Sequence, residues 1–399
     1  MAGGLIRIIH FADLHLGIES YGSLDPQTGV SRRVKDFLSR LDEVVNYAIE
    51  SEADLVLFCG DAYKGRNPLP DYQKLFASRV MRLAEAGIPL ILVAGNHDLP
   101  GNPQKASSLE IFNTLKVPNV YFCRRPDVIR LVTKHGPIQV AVMPYPPRAT
   151  LQALAVRGDL ENFLEEEIRE LASKVDPEIP SVLAGHFGVI GAKYSSERTI
   201  TIGEDFQAPR ATLLSGPWDY VALGHIHCFQ DLNPGEHPPI VYSGSLERID
   251  FSEEKEGKGF VEVYLRKGEA VPRFIPVKAR PFLTIYANLA NEEDAERALL
   301  NRLSAYQVEE AVVRVKVTLA EGQTISDERV RDALANCFYF AGVEREVRRH
   351  PRWGLSTEAV ESLSKRELLE RYFVSKKLPR ERIEKLLEYF DKLSEEVEE

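Results

Sequence analysis

The chain has 399 residues, 44% of them hydrophobic and 28% charged, with a formal net charge of −10. That length exceeds what one hydrophobic core usually serves, so two or three globular domains are expected, and the composition excludes a fibrous or disordered chain. No apolar run approaches the roughly 18 residues that cross a membrane, and the excess of acid argues mildly against a large phosphate-binding surface of clustered Lys and Arg. The start of the chain, Met1-Ala2-Gly3-Gly4 before a strand with Arg7 and His10, has no signal-peptide core, so a cytoplasmic protein that makes no membrane contact is expected. Its cysteines, Cys59, Cys123, Cys228 and Cys337, lie far apart and read as reduced thiols rather than a disulfide or zinc framework.

In chain order, the first apolar run is Leu5-Ile6-Arg7-Ile8-Ile9-His10-Phe11, a strand that leads to Asp13-Leu14-His15. A polar loop with Gly22, Pro26 and Gly29 precedes a helix over about 31–51, whose apolar face carries Val34, Phe37, Leu38, Leu41, Val44, Val45, Ala48 and Ile49. A second strand, Leu55-Val56-Leu57-Phe58-Cys59, delivers Gly60-Asp61, and Lys64-Gly65-Arg66-Asn67-Pro68 reads as an exposed loop. A helix over about 71–86 leads to the strand Pro89-Leu90-Ile91-Leu92-Val93 and then Ala94-Gly95-Asn96-His97-Asp98. Strand alternating with helix indicates a mostly parallel α/β layer.

From about 119 to 143 the pattern shifts to short strands with tight turns, and a helix over about 160–174 follows. Val182-Leu183-Ala184 then leads to Gly185-His186, and Tyr220-Val221-Ala222-Leu223 to Gly224-His225-Ile226-His227. Further strands run to about residue 277, so two sheets with flanking helices, an α/β sandwich, fit better than one doubly wound sheet. A smaller α+β unit of βαβαβ pattern follows, with strands near 283–288 and 312–317 and helices near 291–303 and 325–335. After a break at Pro351-Arg352-Trp353-Gly354 comes a helical tail. Ser364 and Glu367 match a capping box before Leu368, Leu369, Tyr372 and Phe373. Pro379 opens a last helix striped with Ile383, Leu386, Leu387, Phe390 and Leu393. The expected domains are 1–279, 280–350 and 356–399.

Five strand ends thus carry two carboxylates (Asp13, Asp61), an amide (Asn96) and five imidazoles (His15, His97, His186, His225, His227), without a thiolate. Ligands of α/β proteins gather outside the carboxyl ends of the strands, so the clusters should converge. Oxygen and nitrogen donors of this kind suit manganese, iron, cobalt or zinc, and their number fits two ions sharing Asp61. Two such ions clamp the attacking and leaving oxygens of a phosphoryl displacement. His10, His135, His237 and His350 have no companions and read as ordinary structural histidines.

Asp13-x-His15, Gly60-Asp61, Gly95-Asn96-His97-Asp98, Gly185-His186 and Gly224-His225-x-His227 resemble, in order, the five motifs of calcineurin-like metallophosphoesterases. Within that superfamily the chain is similar to SbcD-type DNA double-strand-break repair nucleases. The likeness extends to Phe11-Ala12-Asp13-Leu14-His15-Leu16-Gly17, to Tyr242-Ser243-Gly244-Ser245-Leu246-Glu247-Arg248 with Asp250-Phe251, and to Lys258-Gly259-Phe260. The resemblance implies one ion on Asp13, His15, Asp61 and His227 and a second on Asp61, Asn96, His186 and His225. It implies that His97 faces the scissile phosphate with its ring oriented by Asp98. It further implies manganese, a 3′–5′ exonuclease on duplex ends and a single-strand endonuclease, a homodimer, a DNA-capping role for 280–350, and a tail that grips an SbcC-type coiled-coil ATPase through Leu368, Leu369, Tyr372, Phe373, Ile383, Leu386, Leu387 and Phe390.

Lys64 departs from the family pattern, which often has His or Asp three residues after the bridging aspartate. Lys64 and Arg66 could instead meet DNA phosphates as point charges, or simply belong to a solvated loop. Two rival readings stand: a phosphatase or phosphodiesterase of the same superfamily acting on another substrate, and a DNA-end-binding subunit with a vestigial site.

Overall fold

The computed structural model describes residues 4–102, 104–147, 150–153, 160–196, 207–348 and 363–398. The chain divides into two compact units, Met1–Leu283 with Glu310–Val312, and Thr284–Glu309 with Val313–Glu399. The 351–354 break and His350 lie outside the described residues.

The first unit is built on two six-stranded sheets. One holds β1 (Ile6–Phe11), β2 (Leu55–Phe58), β3 (Leu90–Val93), β4 (Val120–Cys123), β13 (Gly259–Arg266) and β14 (Glu269–Pro276) in the order β14-β13-β1-β2-β3-β4. The other holds β5 (Asp127–Thr133), β6 (Gly136–Met143), β7 (Ser181–His186), β10 (Tyr220–Gly224), β11 (Gln230–Asp231) and β12 (Ile240–Tyr242) in the order β11-β12-β10-β7-β6-β5. A short parallel pair, β8 (Gly188–Val189) with β9 (Gln207–Ala208), stands apart from both. Each sheet has a parallel centre, β1-β2-β3-β4 or β12-β10-β7-β6, and antiparallel strands at its margin.

The strands read as continuous apolar runs because both of their faces are covered. Ile6, Ile8, Leu55, Leu57, Ile91 and Val93 share one core with Val140, Val142, Val182, Ala184 and Val241 of the other sheet. Alternate residues Ile9, Phe11, Val56, Phe58, Leu90 and Leu92 pack instead with Val34, Phe37, Leu41, Val45, Phe76 and Val80 of two helices, Arg32–Glu50 and Pro70–Glu85. The outer face of the second sheet is closed by Leu164, Ile168 and Leu171 of the helix Leu160–Ser173. Each such burial contributes roughly 1.5–3 kcal/mol, so a one-residue slip in register would be costly. Ser31 caps the first helix by accepting from the Arg33 amide at 3.3 Å, and Pro70 supplies the preset first turn of the second. This is the expected α/β sandwich.

The second unit carries a three-stranded sheet, β15-β16-β17 (Phe282–Asn288, Val312–Ala320, Tyr339–Arg348), with helices Ala295–Leu303 and Asp327–Ala333 capped by Asp294 and Ser326. Along β16 the buried Val313, Val315, Val317 and Leu319 alternate with half-buried Arg314, Lys316 and Thr318, the period of a sheet with one covered face. The tail helices Lys365–Ser375 and Arg380–Glu398 pack against each other, tied by Arg366 to Asp391 at 3.0 Å. The capping box forms as expected: the Glu367 amide donates to Ser364 Oγ, and the Ser364 amide to the Glu367 carboxylate. Of the tail's apolar residues, Ile383 and Leu387 are buried, whereas Tyr372 and Leu393 are exposed. Among the described residues no helix is long and apolar enough to cross a membrane.

Candidate metal centre

Because β1, β2, β3, β7 and β10 run parallel within their sheets, their carboxyl ends open on one side, and the turns that follow bring the five clusters together. These turns are sharp. Asp13, His15, Asp61 and His225 have φ of 52°, 47°, 62° and 93°, the left-handed region that non-glycine residues avoid. Each such residue costs on the order of 1–3 kcal/mol and persists only where its surroundings hold it. Amide bonds do so here: Asp13 N to Gly60 O and His15 N to Asp61 O, both 3.0 Å. Glycine is required at two approaches. A Cβ on Gly60 would enter the His186 ring, and one on Gly95 would enter the Asp61 carboxylate.

Asp61 is the hub. Its Oδ2 lies 3.5 Å from His186 Nε2, 3.7 Å from His15 Nε2 and 3.9 Å from His97 Nε2. His186 Nε2 is 3.0 Å from Asn96 Oδ1, and His15 Nε2 is 3.0 Å from His227 Nε2. Three donor groups, Asp13/His15/His227, Asp13/Asp61/His186 and His15/Asp61/His97, each have their ligand atoms within 4.8 Å of one another. The His225 ring stands 5.2 Å from the His186 ring, and its amide donates to both Asp13 oxygens at 3.0 and 3.1 Å. All seven predicted ligands therefore share one pocket.

The protonation pattern tests whether cations fit. His186 Nδ1 lies 2.6 Å from the Cys59 carbonyl, an acceptor only, so Nδ1 must carry the hydrogen and Nε2 is left with its lone pair. That lone pair faces Asn96 Oδ1 and Asp61 Oδ2. Acceptors aimed at acceptors call for positive charge between them. A proton answers the same demand: burial opposes charge on His186, yet Asp61 and Asp13 outweigh it and pull the ring up to about 9, so a cation bound there would take the place of the Nε2 proton. Burial likewise works against Asp61, but His186, His97 and His15 hold its carboxyl well below the usual range. Oxygen and imidazole donors without a thiolate fit divalent ions of hard to intermediate character.

His97 differs from the others. Its side chain is 24% exposed, against 0–5% for His15, His186, His227 and Asp61, so it forms the mouth of the pocket rather than its floor. The expectation that Asp98 orients its ring is corrected here. His97 Nδ1 donates to the Lys64 carbonyl at 2.8 Å. The buried Asp98 carboxylate accepts the amides of Asp61 (2.7 Å), Ala62 (2.9 Å) and Gly95 (2.9 Å), so it fixes the two metal-site turns to each other. Burial and the neighbouring Asp61 charge push Asp98 up to about 6 against the pull of the Gly95 and Asp61 amides and of His186.

Lys64 thus enters the site through its backbone, while its side chain and that of Arg66 are exposed at the rim, where Arg66 Nε reaches the Asn96 carbonyl at 3.4 Å. Sequence reading missed several neighbours. The Tyr145 ring, on the loop after β6, lies 5.9 Å from the His225 ring and 6.3 Å from that of His186. Ser196 and Glu253 meet His227 Nδ1 at 2.8 and 3.0 Å. No motif spacing marks them, since they come from loops far apart in the chain. Of the histidines without companions, His10 sits between the Tyr220 hydroxyl (3.0 Å) and the Leu223 carbonyl (3.2 Å), and His135 pairs with Asp54 at 2.7 Å.

A sandwich of two sheets with a carboxylate-bridged pocket at their shared rim defines a metal-dependent hydrolase of the kind that holds two divalent ions. The family model for calcineurin-like phosphoesterases matches residues 6–229, and the chain belongs to that family. Among solved structures it is similar to a dimetal phosphatase from Danio rerio, with 10% identity, a TM-score of 0.45, and coverage of 68% of this chain and 96% of that one. It is also similar to a protein from Thermus thermophilus, with 14% identity, a TM-score of 0.38, and coverage of 68% and 99%.

Proposed function

We propose that the chain is a manganese-dependent DNA phosphodiesterase. In this reading one ion sits on Asp13, His15, Asp61 and His227 and the other on Asp61, Asn96, His186 and His225. Bound there, the two ions would lower the pKa of a water and neutralise charge on the phosphate. The chain's own residues do the rest. The strained turns and the Asp98 carboxylate hold the donors in place before substrate arrives, which avoids reorganisation during reaction. His97, with Nδ1 committed to the Lys64 carbonyl, presents Nε2 at the mouth, where in its protonated form it can donate to the scissile phosphate or to the leaving oxygen.

The observation that carries the choice of DNA over a small phosphoester is the rim. Lys64 and Arg66 are exposed on the loop that meets His97 and Asn96, and two cations there would suit the phosphates adjoining the scissile one in a polymer. A monoester has no such neighbours to engage. The likeness to SbcD-type nucleases supports exonuclease work on duplex ends and endonuclease work on single strands, a homodimer, and an SbcC-type ATPase partner held by the tail.

Incubating the purified chain with manganese chloride decides the matter. Cleavage of duplex ends and single strands, with slow turnover of p-nitrophenyl phosphate, is the expected result. Rapid hydrolysis of that monoester with intact DNA would establish the phosphatase reading, and DNA binding without any hydrolysis a vestigial site.

A further inference from the structure

The segment after the last histidine motif, Ser243 to Phe260, contributes no proposed ligand, yet three of its charged residues, Glu247, Glu253 and Lys258, are buried. The side chains of Glu253 and Lys258 have no exposure and lie 2.8 Å apart. Glu253 Oε1 is 3.0 Å from His227 Nδ1 and also accepts from Ser196 Oγ. The Lys258 ammonium has further partners: Glu256 Oε2 at 2.8 Å, Ser245 Oγ at 2.9 Å, and the backbone carbonyl of His227 itself at 3.1 Å.

One lysine therefore holds the same histidine twice, through its main chain and, by way of Glu253, through its ring. Burying two charges is expensive, and a buried ion pair is weak evidence for stability. Glu253 also accepts the Ile249 amide at 3.0 Å, so the pair braces its own loop as well as the ring of a proposed ligand. Glu253 and Ser196 both lie on the Nδ1 side, and a carboxylate can only accept there, so Nδ1 carries the hydrogen and the Nε2 lone pair turns to the pocket beside His15. Lys258 Nζ, 2.8 Å from Glu253 Oε2, supplies the counter-charge on the far side of that carboxylate.

We propose that Glu253 and Lys258 are positioning residues that set the affinity of the Asp13/His15/His227 half of the centre. The His186 half does not depend on them. Its ring is oriented by the Cys59 carbonyl, which no side-chain substitution removes. The two halves would thus be separable by mutation.

The inference rests on the two-ion reading of the pocket but not on the identity of the substrate. It is tested by titrating the full chain with manganese chloride in a calorimeter. Wild type should take up two ions. Glu253→Gln should keep one at wild-type affinity and bind the other roughly 10–100-fold more weakly, the usual consequence of losing an outer partner of a ligating histidine. If the lone Lys258 charge prevents that variant from folding, the Glu253→Gln/Lys258→Met pair removes both charges at similar volume, and the same selective loss is expected. A folded single or double variant that binds both ions as tightly as wild type would overturn the assignment and leave the buried pair a purely structural one. A wild-type chain that binds no ion would overturn the two-ion reading and this inference with it, so the wild-type titration tells the two failures apart.

Discussion

The pocket and the tail hairpin are both rich in motifs, but they are built in opposite ways. In the pocket several donors are held by something behind them: Asp98 clamps two turns, the Cys59 carbonyl sets His186, and Glu253 meets His227. In the tail the two helices cover only part of their apolar surface. Ile383 and Leu387 are buried, while Tyr372, Val374, Tyr389 and Leu393 are 37–66% exposed. A surface already satisfied internally supports chemistry at a fixed point. A surface left partly uncovered has burial energy still to gain, which is what a helix laid against a partner needs. Ile383 and Leu387, two of the residues expected to meet a partner, are buried within the described tail, whereas Tyr389 and Leu393 of the same helix are exposed.

The largest effects should come from the pocket's hub. Asp61→Asn removes the charge that faces His15, His97 and His186 at once, so bound manganese and hydrolysis should disappear together while the far-UV circular dichroism is unchanged. Metal analysis beside a cleavage assay checks this, and undiminished cleavage would end the shared-ligand assignment. Deleting residues 356–399 should do the reverse, abolishing co-purification with an SbcC-type ATPase and leaving the manganese-dependent activity of the isolated chain intact. If the truncated chain loses its own activity, the two regions are not the independent devices described above.

A smaller loss is expected at the mouth. His97→Ala should retain both ions and lose roughly 10²–10⁴ in rate, the range for removing a positioned acid or base. Loss of an ion on titration would move His97 among the ligands, as its 3.9 Å approach to Asp61 allows. The least effect should follow neutralisation of the rim. Lys64→Gln with Arg66→Gln should flatten the salt dependence of DNA binding by about one to two units of slope, with hydrolysis of a small monoester unaltered. An unchanged slope would send the DNA path elsewhere and remove the main support for DNA over a small phosphoester.

Much of this protein is decided by local sequence. Apolar runs that end in Gly-Asp, Gly-Asn-His-Asp or Gly-His announce both strands and site, because a buried strand needs unbroken Val, Ile and Leu and the turn after it needs glycine where another chain approaches. The helix starts at Ser31 and Ser364 are legible for the same reason: a cap acts within three residues of itself. Tertiary structure alone decided what stands behind each ligand. That His97 leans on a lysine carbonyl, that Asp98 serves backbone amides instead of its neighbour's ring, and that Glu253 and Lys258 grip His227 are outcomes of loop packing over separations of 26 to 37 residues. Hydrogen bonds to main-chain atoms leave no residue-type signature at the accepting position, since every residue carries a carbonyl. Apolar stripes have the same limit. Their period shows that Ile383, Leu387 and Leu393 share a helix face, and only the fold determines which of them meets its own chain.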